Sequence, residues 1–203
     1  MNKRVILLIM VMFSLQAVIL SAGDSVEFLI EACRTGDIET VRYELAAGTD
    51  PNARNSSGTA PLIEAVSNRY YPTVKLLLAA GADPNTRTGR KTPVIVLAAR
   101  QGDIDVIEAL IQAGADVDAS DTDNIEYLTS ENGINALWAA ARWGMIETVF
   151  ILLEAGADPS SMDVDGVPAW AVAEAYGHYE ISRKLIEAGV EMDQPGDIDD
   201  DPL

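Results

Sequence analysis

The chain has 203 residues, 48% of them hydrophobic, which is enough for a domain with a real core. It carries 32 acidic residues against 14 basic ones, a formal charge of −18, so its surface repels nucleic-acid phosphates and anionic membranes. Its apolar residues are periodically placed, unlike those of a disordered chain, and its single cysteine, Cys33, can form no internal disulfide.

At the N-terminus, Lys3 and Arg4 precede an uncharged, mostly apolar run over residues 5–20, which gives way to Ser21, Ala22, Gly23 and Asp24. Basic, apolar and small residues in that order read as an export signal over 1–23, cleaved after Ala22 or Gly23. Sixteen uncharged residues are short for a span of about 20; an uncleaved anchor is the alternative. Cleavage would remove Lys3 and Arg4 and take the charge from −18 to −20. No other segment reads as membrane-spanning.

From residue 24 to 193 the chain repeats itself. Gly48, Gly81, Gly114, Gly156 and Gly189 each follow an apolar helical phrase, at steps of 33, 33, 42 and 33 residues. Twelve residues before each stands a second landmark: Gly36, Arg69, Gly102, Gly144 and Gly177. A fixed period near 33 marks a stacked solenoid. One copy shows the unit. Ala136, Leu137, Trp138, Ala139, Ala140 and Ala141 form a strong helix with small residues for close approach; Gly144 turns the chain. Ile146, Val149, Leu152 and Leu153 then recur at helical spacing, and Gly156 ends the second helix. One such pair cannot bury its own apolar face, so copies must stack.

These residues resemble the ankyrin-repeat family. Its G-x-T-P-L-x-x-A-A pattern appears over Gly58-Thr59-Ala60-Pro61-Leu62-Ile63-Glu64-Ala65-Val66, matched at Gly58, Pro61, Leu62 and Ala65, returns as Thr92, Pro93 and Val94, and is weakened at Gly133, Ala136 and Leu137. The resemblance implies an all-α ankyrin-repeat solenoid of about five repeats, with short β-hairpin fingers and an inner and outer helix per repeat. Residues 25–48 read as an N-terminal cap with Arg42 and Glu44 at polar outer positions; later repeats run to about 81, 114, 156 and 193. The third is shifted by one residue in its first helix. The histidine common in the family's T-P-L-H motif is absent, Ile63, Ile95, Trp138 and Ala171 standing near its place. An acidic tail, 194–203, reads as solvated and mobile.

The 42-residue step places nine extra residues in one finger, within 118–132. Insertions in a solenoid collect on one face, often the binding face. Ile125, Tyr127 and Leu128 give this finger apolar anchors, either for a partner or for packing on the adjacent finger.

Chemistry is hard to place on this chain. His178, the sole histidine, follows Gly177 at a helix–helix turn and reads as structural. Cys33 shares the register of Val66, Ala99 and Ala141 and reads as a packing thiol. No phosphate loop or metal-ligand spacing is present, and Asp121, Asp123 and Asn124 lack the glycine and glutamate of a calcium loop. The sequence therefore points to no catalytic residue, no cofactor and no metal.

It points instead to a surface. Arg34, Ser67, Arg100, Arg142 and Ala175 share one register position, followed by Thr35, Asn68, Gln101, Trp143 and Tyr176. Arg, Trp and Tyr dominate interface hot spots. The expected patch is Arg34, Arg100, Gln101, Arg142, Trp143 and Tyr176 on a concave inner-helix face, with Trp143 and Tyr176 adjacent beside the inserted finger and its Ile125, Tyr127 and Leu128. The expected function is non-enzymatic binding of a protein partner, a basic one by charge complementarity, with no nucleic acid and no membrane beyond the signal segment. The chain is expected to act as a monomer in the periplasm or after secretion, as an inhibitor or immunity-type protein or as an envelope-maintenance scaffold.

Overall fold

The computed structural model describes residues 22–121 and 133–192, which form ten helices. The export signal apart from Ala22 and Gly23, the anchors Ile125, Tyr127 and Leu128, and the acidic tail lie outside the described residues. Contacts divide the chain into two compact units, Met1–Gly81 and Ala82–Leu203.

In the first unit, α1 (Ala22–Thr35) packs on α2 (Ile38–Ala46) and on α3 (Pro61–Ser67), while α4 (Tyr71–Ala79) packs on α2 and α3. Leu29, Ile30, Ala32 and Cys33 recur at helical spacing on α1 and are buried, so one stripe of the helix meets its neighbours. Asp37 caps α2 by accepting from the Thr40 amide and hydroxyl, and those bonds hold its carboxyl below the usual range. Pro61 opens α3, where its missing N–H costs nothing. One expectation fails here. Glu44 is not an outward polar position but is 7% exposed and accepts the Thr49 hydroxyl at 2.8 Å. A carboxylate can be drawn under the surface when a donor waits for it.

In the second unit, α5 (Val94–Gln101), α7 (Ala136–Trp143) and α9 (Ala169–Ala175) stack successively as the inner row. Each also packs on its own outer helix: α6 (Ile104–Gln112), α8 (Ile146–Glu154) and α10 (Tyr179–Met192). Ala98, Ala99, Ala139, Ala140, Ala141 and Ala173 are fully buried in the inner row, because side chains of one carbon let backbones approach. The outer helices contribute Ile107, Leu110, Val149, Leu152, Ile181 and Leu185. Each such side chain stabilises by about 1.5–3 kcal/mol when fully buried, so the two rows are held by apolar burial.

The landmark residues behave as their register demands. Gly36, Gly102, Gly144 and Gly177 have φ of 77°, 64°, 72° and 81°, and Arg69 adopts 60° in the same place. That left-handed conformation turns the chain from an inner to an outer helix. Gly189 departs from the pattern: α10 runs through it to Met192. Earlier copies follow the glycine with Asp-Pro or Asp-Val, whereas Gly189 is followed by Val190, Glu191 and Met192, which tolerate helix and offer no stop.

The hairpin fingers are not formed as strands among the described residues. They reduce to isolated antiparallel bridges, Arg87 with Pro93 and Met162 with Pro168, on tight turns. Side chains brace the turns instead. Asn52 Nδ2 donates to the Gly81 carbonyl at 2.9 Å, and Asn85 accepts from the Asp116 amide at 2.8 Å. Asp118 accepts from the Asp158 amide at 2.9 Å. At the inserted finger, Asp121 N–H donates to Ile134 at 3.2 Å and Gly133 N–H donates to Asp121 at 3.3 Å, so the points of departure and return are tied together.

Candidate protein-binding surface

The site begins with three helix ends in the second unit. Arg100 and Gln101 close α5, Arg142 and Trp143 close α7, and Tyr176 caps α9. After α5 and α7 a left-handed glycine follows at once; the Gly144 amide donates to the carbonyls of Ala140 and Ala141. The repeated turn presents the same register position from each inner helix.

His178 secures two of these ends to each other. Its ring Nε2 lies 3.2 Å from the Arg142 carbonyl, and because a carbonyl only accepts, this nitrogen carries the proton. The ring covers Gly144 so closely that a Cβ there would stand 2.6 Å from His178 Cε1. The histidine is structural, as its position suggested, and it fixes the neighbouring residues Trp143 and Tyr176 near one another.

Between those two rings stands Arg142. Its guanidinium carbon lies 5.2 Å from the Tyr176 ring centroid, 6.0 Å from that of Trp143 and 5.7 Å from that of Trp138. Each contact of this kind contributes about 0.5–1 kcal/mol at an exposed site. Trp138 is buried and donates its indole N–H to the Val167 carbonyl at 2.9 Å, bracing the following finger. Trp143 and Tyr176 remain 51% and 54% exposed. Two large rings held in place by a cation, half in water, form a ready-made contact surface.

The rest of the expected patch divides. Arg100 and Gln101 are half-buried, with Nε and Oε1 out of solvent, and belong more to the wall than to its outer face. Arg34 is in the first unit, where Glu31 takes its guanidinium in a 2.6 Å ion pair, so its charge is answered within its own helix. Trp143 ends α7, whose first residue, Ala136, follows the return point of the inserted finger at Gly133 by three positions. Ile125, Tyr127 and Leu128 lie outside the described residues.

Sequence reasoning also missed an exposed apolar group. Met162 and Val164 are 55% exposed and Val167 37%, all on the turn before α9. Apolar residues in a repeat read as core, and only the alternation of Met162, Asp163, Val164 and Asp165 hinted otherwise.

Burial, assisted by the nearby Glu64 charge, pushes the Cys33 thiol up to about 12, which leaves it protonated and inert at neutral pH. Among the described residues no group of three His, Cys, Asp or Glu side chains is placed to hold a metal ion. No described helix is long and apolar enough to cross a membrane.

A family model for ankyrin repeats in three copies matches residues 16–88 and again 95–195, which is most of the chain. The chain is an ankyrin-repeat protein. None of the curated proteins compared with it matches. Ankyrin repeats are protein–protein interaction modules, and the helix pairs with glycine-turned ends described above are the ankyrin unit.

Proposed function

We propose that this ankyrin-repeat protein is an exported, non-enzymatic binder that captures a protein partner through Trp143, Arg142 and Tyr176. The observation that carries the reading is the pair of half-exposed rings stacked about one guanidinium on adjacent inner helices. Aromatic and arginine side chains pre-positioned in this way lose little rotamer freedom on binding. The basic and apolar start of the chain supports export to the periplasm or secretion. A charge of −18 would steer a basic target, which favours an inhibitor or immunity-type protein covering a basic enzyme.

The test is capture from periplasmic extract at low and high salt by the chain and by its Trp143→Ala/Tyr176→Ala variant. An inhibitor recovers one stoichiometric, salt-sensitive partner, and the double variant recovers at least tenfold less while keeping its helical circular dichroism. Recovery of several partners at substoichiometric amounts would favour the scaffold reading. Undiminished capture by the variant would remove the ring pair from the interface.

A further inference from the structure

The exposed apolar turn before α9 sits in an unusual electrostatic setting. From residue 101 to 182, Arg142 is the only Lys or Arg, against sixteen Asp and Glu; across space Arg87 also reaches the cleft wall, donating to the Ser120 carbonyl at 2.9 Å. Arg142 is held among the rings of Trp138, Trp143 and Tyr176. The turn itself alternates, as Met162, Asp163, Val164 and Asp165, and beside it opens a cleft of about 350 Å³. Asp118, Asn135, Asp158, Ser161, Met162 and Val164 are among the residues that line it.

The cleft is held open by bonds already made. Asp118 Oδ1 accepts the Asp158 amide at 2.9 Å, Asp158 Oδ1 the Ser160 amide at 2.8 Å, and Asp163 Oδ1 the Val167 amide at 2.8 Å. Each carboxylate uses Oδ1 in these turns, which leaves Oδ2 for another donor. Ser161 Oγ is buried without a hydrogen-bond partner among the described residues. Val164 Cγ1 lies against Gly133, where any Cβ would stand 2.5 Å away, so the finger is seated firmly on the base of its neighbour. The surface is thus apolar at Met162, Val164 and Val167, acidic on its rim, and rigid beneath.

We infer that this finger and its cleft form a second contact surface for an extended partner segment in which basic and apolar side chains alternate. The inference rests on the protein-binding reading above but uses residues separate from the ring pair. Apolar side chains of the segment would cover Met162 and Val164, removing exposed hydrocarbon from water. Its Lys or Arg side chains would lie against Asp118, Asp158, Asp163 and Asp165. Charge complementarity selects this occupant, because an acidic segment would meet the carboxylates of Asp118, Asp158, Asp163 and Asp165, and an uncharged one would leave them unanswered.

The test uses three fluorescent twelve-residue peptides, alternating Lys-Leu, Glu-Leu and Lys-Ser, with anisotropy measured on the full chain. The Lys-Leu peptide should bind at least tenfold tighter than either control and weaken as salt rises from 50 to 300 mM. Met162→Ser/Val164→Ser should weaken it about tenfold. Asp165→Lys, whose side chain braces nothing in the turn, should weaken it severalfold at low salt without touching the packing. The Trp143→Ala/Tyr176→Ala variant should bind it as the parent does. Equal binding by all finger variants, or equal binding of the Lys-Leu and Lys-Ser peptides, would overturn the proposal. Loss with the ring variant alone would move the site to the rings, whereas failure of the protein-binding reading would appear in the extract capture.

Discussion

The ends of α1 and α7 occupy the same register and do opposite things. At the end of α1, Arg34 is taken by Glu31, and the Thr35 hydroxyl donates to the Glu31 carbonyl at 3.0 Å, so the turn is closed upon itself. At the end of α7, Arg142 is shared among three rings and the place of Thr35 is filled by a half-exposed tryptophan. The backbone is the same in both, with a left-handed glycine next in line. A repeat therefore fixes where a side chain is presented, and its immediate neighbours decide whether it is offered outward or used up. An arginine beside a glutamate three residues earlier on a helix is an internal pair; an arginine among aromatic rings holds a surface in shape.

That contrast can be broken most forcefully at Trp138, five residues before Trp143 on the same helix. Trp138→Ala removes a buried ring and the finger's hydrogen bond and should cost about 3–5 kcal/mol in urea unfolding, whereas Trp143→Ala should leave the midpoint nearly unmoved. Next come the two glycines. Gly36→Ala and Gly144→Ala each force a Cβ into a ring, that of Tyr70 at 2.7 Å and that of His178 at 2.6 Å, at left-handed φ. Each should cost about 1–3 kcal/mol, and the Gly144→Ala penalty should shrink in a His178→Ala background. Unequal costs at the two sites would show that the turns are not equivalent. Arg69 already sits at φ 60°, so Arg69→Gly should raise stability by about 1 kcal/mol, read as a higher thermal midpoint. The smallest effect belongs to Arg34→Ala. It breaks only an exposed pair, so partner capture and thermal midpoint should both match the parent. A loss of capture there would bring α1 back into the binding surface.

Much of this is legible in the amino-acid sequence itself. The landmark glycines announced the turns because left-handed backbone is nearly a glycine property, and their spacing carried Arg142, Trp143 and Tyr176 into one neighbourhood. Cys33 could be assigned to the interior from the company it keeps in register. Other features depend on what lies across space. Glu44 is buried because Thr49 returns to meet it, and the helix at Gly189 runs on through Val190, Glu191 and Met192, where the earlier copies place an Asp two residues after the glycine. The exposure of Met162 and Val164 follows from a finger that stops short of a true hairpin, which periodicity cannot report. The ion pair at Arg34 was written in the sequence as a three-residue spacing, but competing roles for an arginine can be decided only by seeing which acceptor it reaches.

The reciprocal bonds joining Asp121 to Ile134 and Gly133 to Asp121 clamp the mouth of the inserted stretch. With Asp121 and Gly133 tied, the chain re-enters the frame three residues before Ala136 at a place set by those two bonds, so α7 keeps its phase whatever number of residues the chain spends between them.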